Sequence, residues 1–126
     1  MPDLSSLTWT FRRKDTPGEA ILSVLLPGEQ VYACYSTIRD QALLTTKRMI
    51  VMDKQGLTGN KIEVYSLPYT SIKMWSSENA GLLDFDAELE LWTLIGHIKL
   101  RVTPQCDIRE FDRILGHAIL NSNPSI

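Results

Sequence analysis

Apolar residues alternate strictly with charged residues along two neighbouring segments, and this pattern constrains the fold more than any other feature of the chain. Every second residue is apolar from Phe85 to Leu91 and again from Ile98 to Val102. The positions between them are acidic in the first segment and basic in the second. Alternation with a period of two predicts two β-strands, each with one buried and one exposed face.

The two segments also predict their own pairing. A hairpin that turns between Leu94 and Ile95 aligns the apolar faces of both strands and places opposite charges across from one another. The expected partners are Glu90 with Lys99, Glu88 with Arg101, Leu91 with Ile98, and Leu89 with Leu100.

Five further strands are predicted between residues 29 and 76, where short segments rich in β-branched, aromatic and aliphatic residues are separated by turn residues. Their expected positions are 31–38, 42–45, 48–53, 62–65 and 71–76. The polar, glycine-bearing segment 54–60 is expected to be a loop. With the hairpin, the chain has seven predicted strands.

Two capping boxes predict one helix on each side of the strands. Thr16 with Glu19, and Pro17 at the first helical position, predict a helix of two to three turns that ends at Pro27-Gly28. Asp107 with Glu110 predicts the start of a second, amphipathic helix near the carboxyl terminus. Its apolar stripe consists of Ile108, Phe111, Ile114 or Leu115, and Ala118 or Ile119.

Strands followed by a separate helix indicate an α+β fold, mainly β, in which the carboxyl-terminal helix closes the mouth of a small antiparallel barrel. We divide the 126 residues into an arm (1–15), one domain (16–120) and a tail (121–126). The arm carries the basic triplet Arg12-Arg13-Lys14 and is expected to be a solvated tail.

Composition excludes several classes of function. Thirteen basic and fifteen acidic residues give a net charge of −2, which argues against a nucleic-acid-binding protein. No apolar run approaches the ~18 residues of a membrane span, and the amino terminus lacks the pattern of a secretory signal. Two cysteines do not make a disulfide framework. We therefore expect a cytoplasmic protein.

The motifs of catalysis are not found in the sequence. There is no glycine-rich phosphate loop and no Gly-x-Ser-x-Gly elbow, and His97 and His117 lack zinc-site spacing. The acids from Asp84 to Glu90 lie along one strand rather than converging from a loop, so ion pairing explains them better than a metal does. Cys34 is expected to be a buried thiol. No catalytic, cofactor-binding or metal-binding residue is predicted.

The chain has more apolar surface than one barrel interior needs. The segment Met49–Met52 offers no polar face, and in the strand 71–76 we expect Ile72 and Met74 on one side and Trp75 on the other. The domain's own helices and arm could cover these residues, or another subunit could. Trp92 lies on the charged side of the hairpin and Leu94-Ile95 at its tip. These last three residues are the candidate contact with a second copy or with another protein.

Several blocks, in order, resemble the bacterial pleckstrin-homology (PH) domain family. They cover about residues 18–120, and Thr46 departs from the asparagine that the family favours. The blocks are Ala42-Leu43-Leu44-Thr45-Thr46-Lys47-Arg48-Met49-Ile50-Val51-Met52-Asp53-Lys54-Gln55-Gly56-Leu57-Thr58-Gly59, then Ser66-Leu67-Pro68-Tyr69-Thr70-Ser71-Ile72, then Glu78-Asn79-Ala80-Gly81 leading into Phe85-Asp86-Ala87-Glu88-Leu89.

The resemblance implies a PH-like fold, a seven-stranded, partly open antiparallel barrel closed by the carboxyl-terminal helix, and a non-catalytic protein that assembles into homo-oligomers, often rings. The phosphoinositide binding of the wider superfamily is not carried over, because a polyphosphate needs clustered cations and the first hairpin loop offers only Arg39, beside Asp40. The leading hypothesis is a self-assembling scaffold or adaptor. The alternative is a membrane-surface or lipid-binding module that uses Arg12-Arg13-Lys14 for attraction and Leu94-Ile95 for insertion.

Overall fold

The strands pair into a single curved sheet that is not closed. The structure is a computed structural model, and it describes residues 8–55, 57, 60–82 and 85–122. Eight strands lie in the order β5-β4-β3-β2-β1-β8-β7-β6, so β5 and β6 are the two edges. The strands are β1 (Thr8–Lys14), β2 (Val31–Thr37), β3 (Gln41–Thr45), β4 (Arg48–Gln55), β5 (Lys61–Pro68), β6 (Ile72–Glu78), β7 (Ala87–Thr93) and β8 (Gly96–Val102).

Strand β1 is the element that the sequence did not predict. Residues 8–14 are not a solvated tail: they pair antiparallel with β2 and parallel with β8, Trp9 standing opposite Leu100. Phe11 is fully buried, because the alternation Trp9, Phe11 points both rings inward. The sheet therefore has eight strands rather than seven, and β1 joins its two halves.

The predicted hairpin register is confirmed. Glu90 stands opposite Lys99, and the other three expected pairs are present as well. From Ala87 to Val102, the inward-facing residues of both strands are at most 7% exposed. One member of the predicted apolar series departs: β7 begins at Ala87, and Phe85 lies before it, 58% exposed.

The interior of the sheet is closed by the carboxyl-terminal helix, as predicted. Helix α2 (Ile108–Leu120) begins at Asp107, whose side chain accepts hydrogen bonds from the backbone N–H groups of Arg109 and Glu110. Phe111, Leu115 and Ala118 face the core. The Phe111 ring meets Phe11 at 5.4 Å and Tyr35 at 5.0 Å between centroids. The helix thus seals one opening with its apolar stripe.

A second, smaller apolar cluster lies on the outer face of β2–β4. Ile50 and Met52 of β4 pack there with Cys34, Leu43 and Ile21, and Val24, Leu25 and Val31 surround them. The odd and even residues of Met49–Met52 therefore belong to two different clusters, which explains why this strand has no polar face.

Helix α1 (Glu19–Leu22), which covers this cluster, is shorter than predicted and begins elsewhere. Its N-cap is Gly18, without a side-chain cap, rather than Thr16. The side chain of Gln41 holds the preceding residues extended, since it accepts from the Gly18 N–H (2.9 Å) and donates to Asp15 and to the Thr16 carbonyl. After one turn the chain tightens, and the N–H of Val24 bonds to the carbonyl of Ile21.

The expected faces of β6 are wrong by one residue. A bulge between Ile72 and Met74 shifts the pairing with β7. Ile72 is therefore buried, Met74 is 53% exposed, and Trp75 packs against the core. The indole N–H of Trp75 donates to Asp112 of α2 (3.0 Å).

Two further expectations fall at the edge of the described chain. The expected loop at 54–60 starts later, since Lys54 and Gln55 end β4, and Gly56, Thr58 and Gly59 lie outside the described residues. Of the tail, only 121 and 122 are described. Neither helix in the described part of the chain is long and apolar enough to span a membrane.

Candidate functional site

The turn between β7 and β8 projects two aliphatic side chains into solvent. Leu94 is 70% exposed and Ile95 is 76% exposed. The turn itself is firmly held: the Thr93 hydroxyl donates to the Gly96 carbonyl (2.7 Å) and accepts from the Ile95 N–H (3.2 Å). An apolar pair presented on a fixed turn is available for a contact without a large ordering cost.

Trp92 and Met74 extend this apolar turn along the outer face of the sheet. Trp92 is opposite His97 in the register, and the two rings stack with centroids 5.0 Å apart. Met74 stands opposite Trp92 on β6. We call Met74, Trp92, Leu94 and Ile95 the tip surface. The structure places the three predicted contact residues at the same end of the hairpin, and it adds Met74, which the bulge in β6 turns outward.

Two lysines, Lys47 and Lys73, lie at the same end of the domain as the tip surface. A one-turn 3-10 helix (Tyr69–Ser71) connects them to it: the Tyr69 N–H donates to the Lys47 carbonyl (3.4 Å), and the Ser71 carbonyl accepts from the Leu94 N–H (3.0 Å). Lys73 follows at the start of β6, and both lysines are exposed. This end is therefore apolar at its tip and basic beside it.

An apolar groove opens at the other end of the same strands. It has a volume of about 290 Å³ and lies between residues 79–82 and 85, which precede β7, and the connection from β8 to α2. Its lining residues include Leu82, Phe85, Ala87, Val102, Pro104 and Ile108. Leu82 and Phe85 are more than half exposed. Sequence reasoning missed this groove; the available signal was the presence of Leu82 and Phe85 shortly before β7.

Acidic residues border the groove on one side. A neighbouring recess of about 230 Å³ is lined by Glu78, Asp86 and Glu88 and shares Phe85 with the groove. Of the predicted acidic series, Glu88 and Glu90 form ion pairs with Lys99, at 3.6 and 3.7 Å. His97 Nε2 lies 3.3 Å from Glu90 Oε2, without hydrogen-bond alignment. Asp84 lies outside the described residues.

The Thr45–Arg48 turn of the family-like block has a structural role. The Glu29 side chain is 1% exposed and accepts two hydrogen bonds from the Arg48 guanidinium, at 2.9 and 3.0 Å. The Thr45 hydroxyl donates to the same carboxylate (2.6 Å), and Arg48 also donates to the Val24 carbonyl (2.8 Å). This network ties the segment after α1 to the β3–β4 turn, so Arg48 is committed to the fold rather than to a ligand.

The cysteines and the acidic groups give no sign of reactive chemistry in the described chain. Cys34 and Cys106 do not form a disulfide with each other. Burial raises the pKa of each thiol to about 11, so neither is a thiolate at neutral pH. Within residues 8–55, 57, 60–82 and 85–122, no three His, Cys, Asp or Glu side chains are placed to hold a metal ion.

The basic triplet and the Leu94–Ile95 turn lie at opposite ends of the domain. Because β1 runs parallel to β8 with Phe11 opposite Val102, Arg12-Arg13-Lys14 lie at the groove end, about 20 Å from the Leu94–Ile95 turn. Lys14 also forms an ion pair with Glu110. A membrane that the Leu94–Ile95 turn enters end-on would therefore lie about 20 Å from the basic triplet.

Comparison with known proteins places these features in a family context. The bacterial PH domain family model matches residues 8–119. The uncharacterized protein YjqA of Bacillus subtilis is 47% identical over 74 residues, which span 59% of this chain and 59% of that protein. The uncharacterized protein YozO of the same organism is 28% identical over 102 residues, or 81% of this chain and 89% of its own.

Two solved structures share the fold over most of the chain. A DUF1696 family protein with a pleckstrin-homology domain from Shewanella loihica superimposes with a TM-score of 0.76, at 29% identity, and covers 85% of this chain and 96% of its own. A pleckstrin homology domain from Shewanella amazonensis gives a TM-score of 0.65 at 30% identity, with 79% and 82% covered.

Proposed function

The chain belongs to the bacterial PH domain family, and on that premise we propose that it is a non-catalytic interaction domain that assembles into a homo-oligomer, possibly a ring, and serves as a scaffold or adaptor. The observation that carries this proposal is the exposure of Leu94 and Ile95 on a hydrogen-bonded turn. Contiguous exposed apolar side chains mark interaction sites, and these two continue into Trp92 and Met74.

The contribution of Leu94 and Ile95 to a contact follows from the apolar surface that they would bury. Burying an exposed leucine or isoleucine contributes roughly 1.5–3 kcal/mol, so the two side chains of one turn contribute about 3 kcal/mol or more to a contact. That contribution corresponds to at least about 100-fold in the dissociation constant. Placing a carboxylate at both positions removes it and adds a desolvation cost.

The test is the solution mass of the protein and of the Leu94→Asp, Ile95→Asp double variant. Sedimentation at micromolar concentration should give an oligomer for the original chain and the 14.3 kDa monomer for the variant. Leu120→Asp is the matched control, since Leu120 is 71% exposed but lies at the end of α2. A monomeric original chain would refute self-assembly, and a variant that stays oligomeric would exclude the tip surface.

A further inference from the structure

We propose that an open cleft between α2 and the start of β2 binds an extended acidic segment of another protein. The cleft has a volume of about 340 Å³, and the described residues that line it are Tyr32, Arg113, Ile114 and His117. We call it the α2–β2 cleft. None of these four residues belongs to the tip surface, so the proposal does not depend on self-assembly.

Arg113 is the charged side chain of α2 that the fold leaves for a ligand. Glu110 forms an ion pair with Lys14, and Asp112 accepts hydrogen bonds from two side chains of β6. Arg113 is exposed, and its guanidinium forms no ion pair or hydrogen bond within the described residues. Its N–H groups form a planar fork that matches the two oxygens of a carboxylate.

His117 lies one turn beyond Arg113 on α2 and provides a second donor. Its Nδ1 is 3.3 Å from Nδ2 of Asn121, and the same amide nitrogen donates to the His117 carbonyl at 2.8 Å. Because an amide nitrogen donates, Nδ1 accepts, and the neutral ring carries its proton on Nε2. The Tyr32 ring meets the imidazole edge to face, with centroids 5.2 Å apart, which holds the imidazole in place.

The backbone of β2 offers an unpaired edge beside the cleft. The pairs between β1 and β2 end at Lys14 and Tyr35, and one more backbone bond joins the Asp15 N–H to the Cys34 carbonyl (3.0 Å). Beyond it, residues 31–33 pair only with β3 in the part of the chain that the structure describes. An extended segment that continues the line of β1 would therefore add a strand to this edge.

The charges and spacing of the cleft select the occupant. Arg113 and His117 line it, and no acidic side chain is among its described lining residues. Residues four apart on a helix are separated by about 6 Å along its axis, and residues two apart on a strand by about 7 Å. An extended segment with carboxylates two residues apart therefore brings one carboxylate to each donor, while Tyr32 and Ile114 contact its apolar atoms.

The experiment measures fluorescence anisotropy of a short labelled peptide, with two glutamates separated by one serine and flanked by valines, as the full chain is added. Binding should be saturable, and the peptide with glutamine in place of both glutamates should bind at least tenfold more weakly. On titration with the acidic peptide, the backbone amide signals of residues 31–33 and 113–117 should shift in NMR spectra.

Arg113→Gln should raise the dissociation constant of the acidic peptide about tenfold, because a charge-assisted hydrogen bond is lost. Arg12→Gln is the matched control: it removes the same charge at an exposed position of β1 that does not line the cleft, and it should leave the dissociation constant unchanged. Near-ultraviolet circular dichroism should show both variants to be folded like the original chain.

Four results would overturn the proposal. The glutamine peptide binds as tightly as the acidic one, or neither binds. Inorganic phosphate at constant ionic strength displaces the peptide completely, which would identify a site for small anions. Arg113→Gln changes the solution mass, which would make the cleft a contact between copies of this chain. Binding appears only after residues 123–126 are removed, which would assign the cleft to that segment. A monomeric chain that binds the acidic peptide would refute the proposed self-assembly and leave this inference intact.

Discussion

The buried ion pair between Glu29 and Arg48 makes the stability of the domain depend on pH in acid. Burial by itself raises the pKa of Glu29, but hydrogen bonds from Arg48, from the Thr45 hydroxyl and from the Leu26 N–H outweigh it and lower the pKa from 4.5 to about 2. At about 1.4 kcal/mol for each unit of pKa, this difference corresponds to roughly 3 kcal/mol of folding free energy.

The sign follows from the lowered value. A carboxylate with a lower pKa in the folded state stabilises that state fully above the unfolded value of 4.5, and the contribution is lost as the pH falls toward 2. Between these limits the unfolded chain binds about one proton more at this site. The titration of Glu29 alone should therefore decrease the free energy of unfolding by up to about 1.4 kcal/mol for each unit that the pH falls in this range.

Glu29→Gln tests the argument. The variant leaves the Arg48 charge buried without its counterion, so the free energy of unfolding at pH 7 should fall by about 3 kcal/mol or more. Urea unfolding followed by tryptophan fluorescence at several pH values between 2.5 and 7 measures both quantities. The decrease with falling pH below 4.5 should be shallower in the variant than in the original chain.

The control is Glu19→Gln, since Glu19 is exposed in the first turn of α1 and is not one of the residues that form this network. Its unfolding curves should match the original at every pH. The reasoning is refuted if Glu29→Gln and the original chain lose stability in parallel between pH 4.5 and 2.5, because Glu29 would then not be the titrating group.

Two further predictions concern single side chains. Asp112→Ala removes the acceptor of the Trp75 indole and of the Ser77 hydroxyl, so it should lower the free energy of unfolding in urea by about 2 kcal/mol. Asp112→Asn should lower it less, because the amide keeps one acceptor. Equal losses of stability in the two variants would contradict this. Gly28→Ala should lower stability by about 1 kcal/mol in thermal unfolding, because Gly28 has φ +82°, a conformation unfavourable for alanine; no atom lies within 4 Å of the added Cβ, so the loss would come from the backbone alone. Gly18→Ala is the control, since Gly18 has φ −80° and carries no such backbone cost. An unchanged unfolding midpoint for Gly28→Ala would contradict the argument.

The hairpin was predictable because every piece of local information agreed. The alternation of Ala87–Leu91, the alternation of Ile98–Val102 and the two-residue turn each specify the same register. The same holds for α2, whose capping box and apolar stripe are contiguous in the sequence. Elements specified by neighbours in the chain were predicted at the residue level.

Strand β1 was missed because its evidence is not local. Thr8-Trp9-Thr10-Phe11 is only a four-residue alternation, followed by three basic residues. The strand is stabilised by Leu100 and Val102, about 90 residues away, and by β2. The bulge in β6 was not predicted either, because one extra residue changes the face on which Met74 lies without changing the composition of the strand.

The candidate contact residues were partly predictable and the groove was not. Leu94 and Ile95 stand out in the sequence because a hairpin turn seldom needs two aliphatic residues. The groove is assembled from the segment that precedes β7, the end of β8 and the start of α2, which come together only in the folded chain. No pattern with a period of two or 3.6 residues marks such a junction.

The apolar residues outside the interior of the sheet fall into two groups. One group is covered by a segment that the Glu29–Arg48 network holds in place, and the other remains exposed. On the outer face of β2–β4, Ile50 and Met52 are covered by α1 and the segment after it, which Arg48 fixes through the Val24 carbonyl. The other helix, α2, is used to close the interior, so its apolar stripe does not reach the outer face of β6–β8. Among the described residues, the cover that the helices provide therefore stops before Met74 and the Leu94–Ile95 turn. The apolar side chains that remain exposed there are the ones that a second subunit would bury.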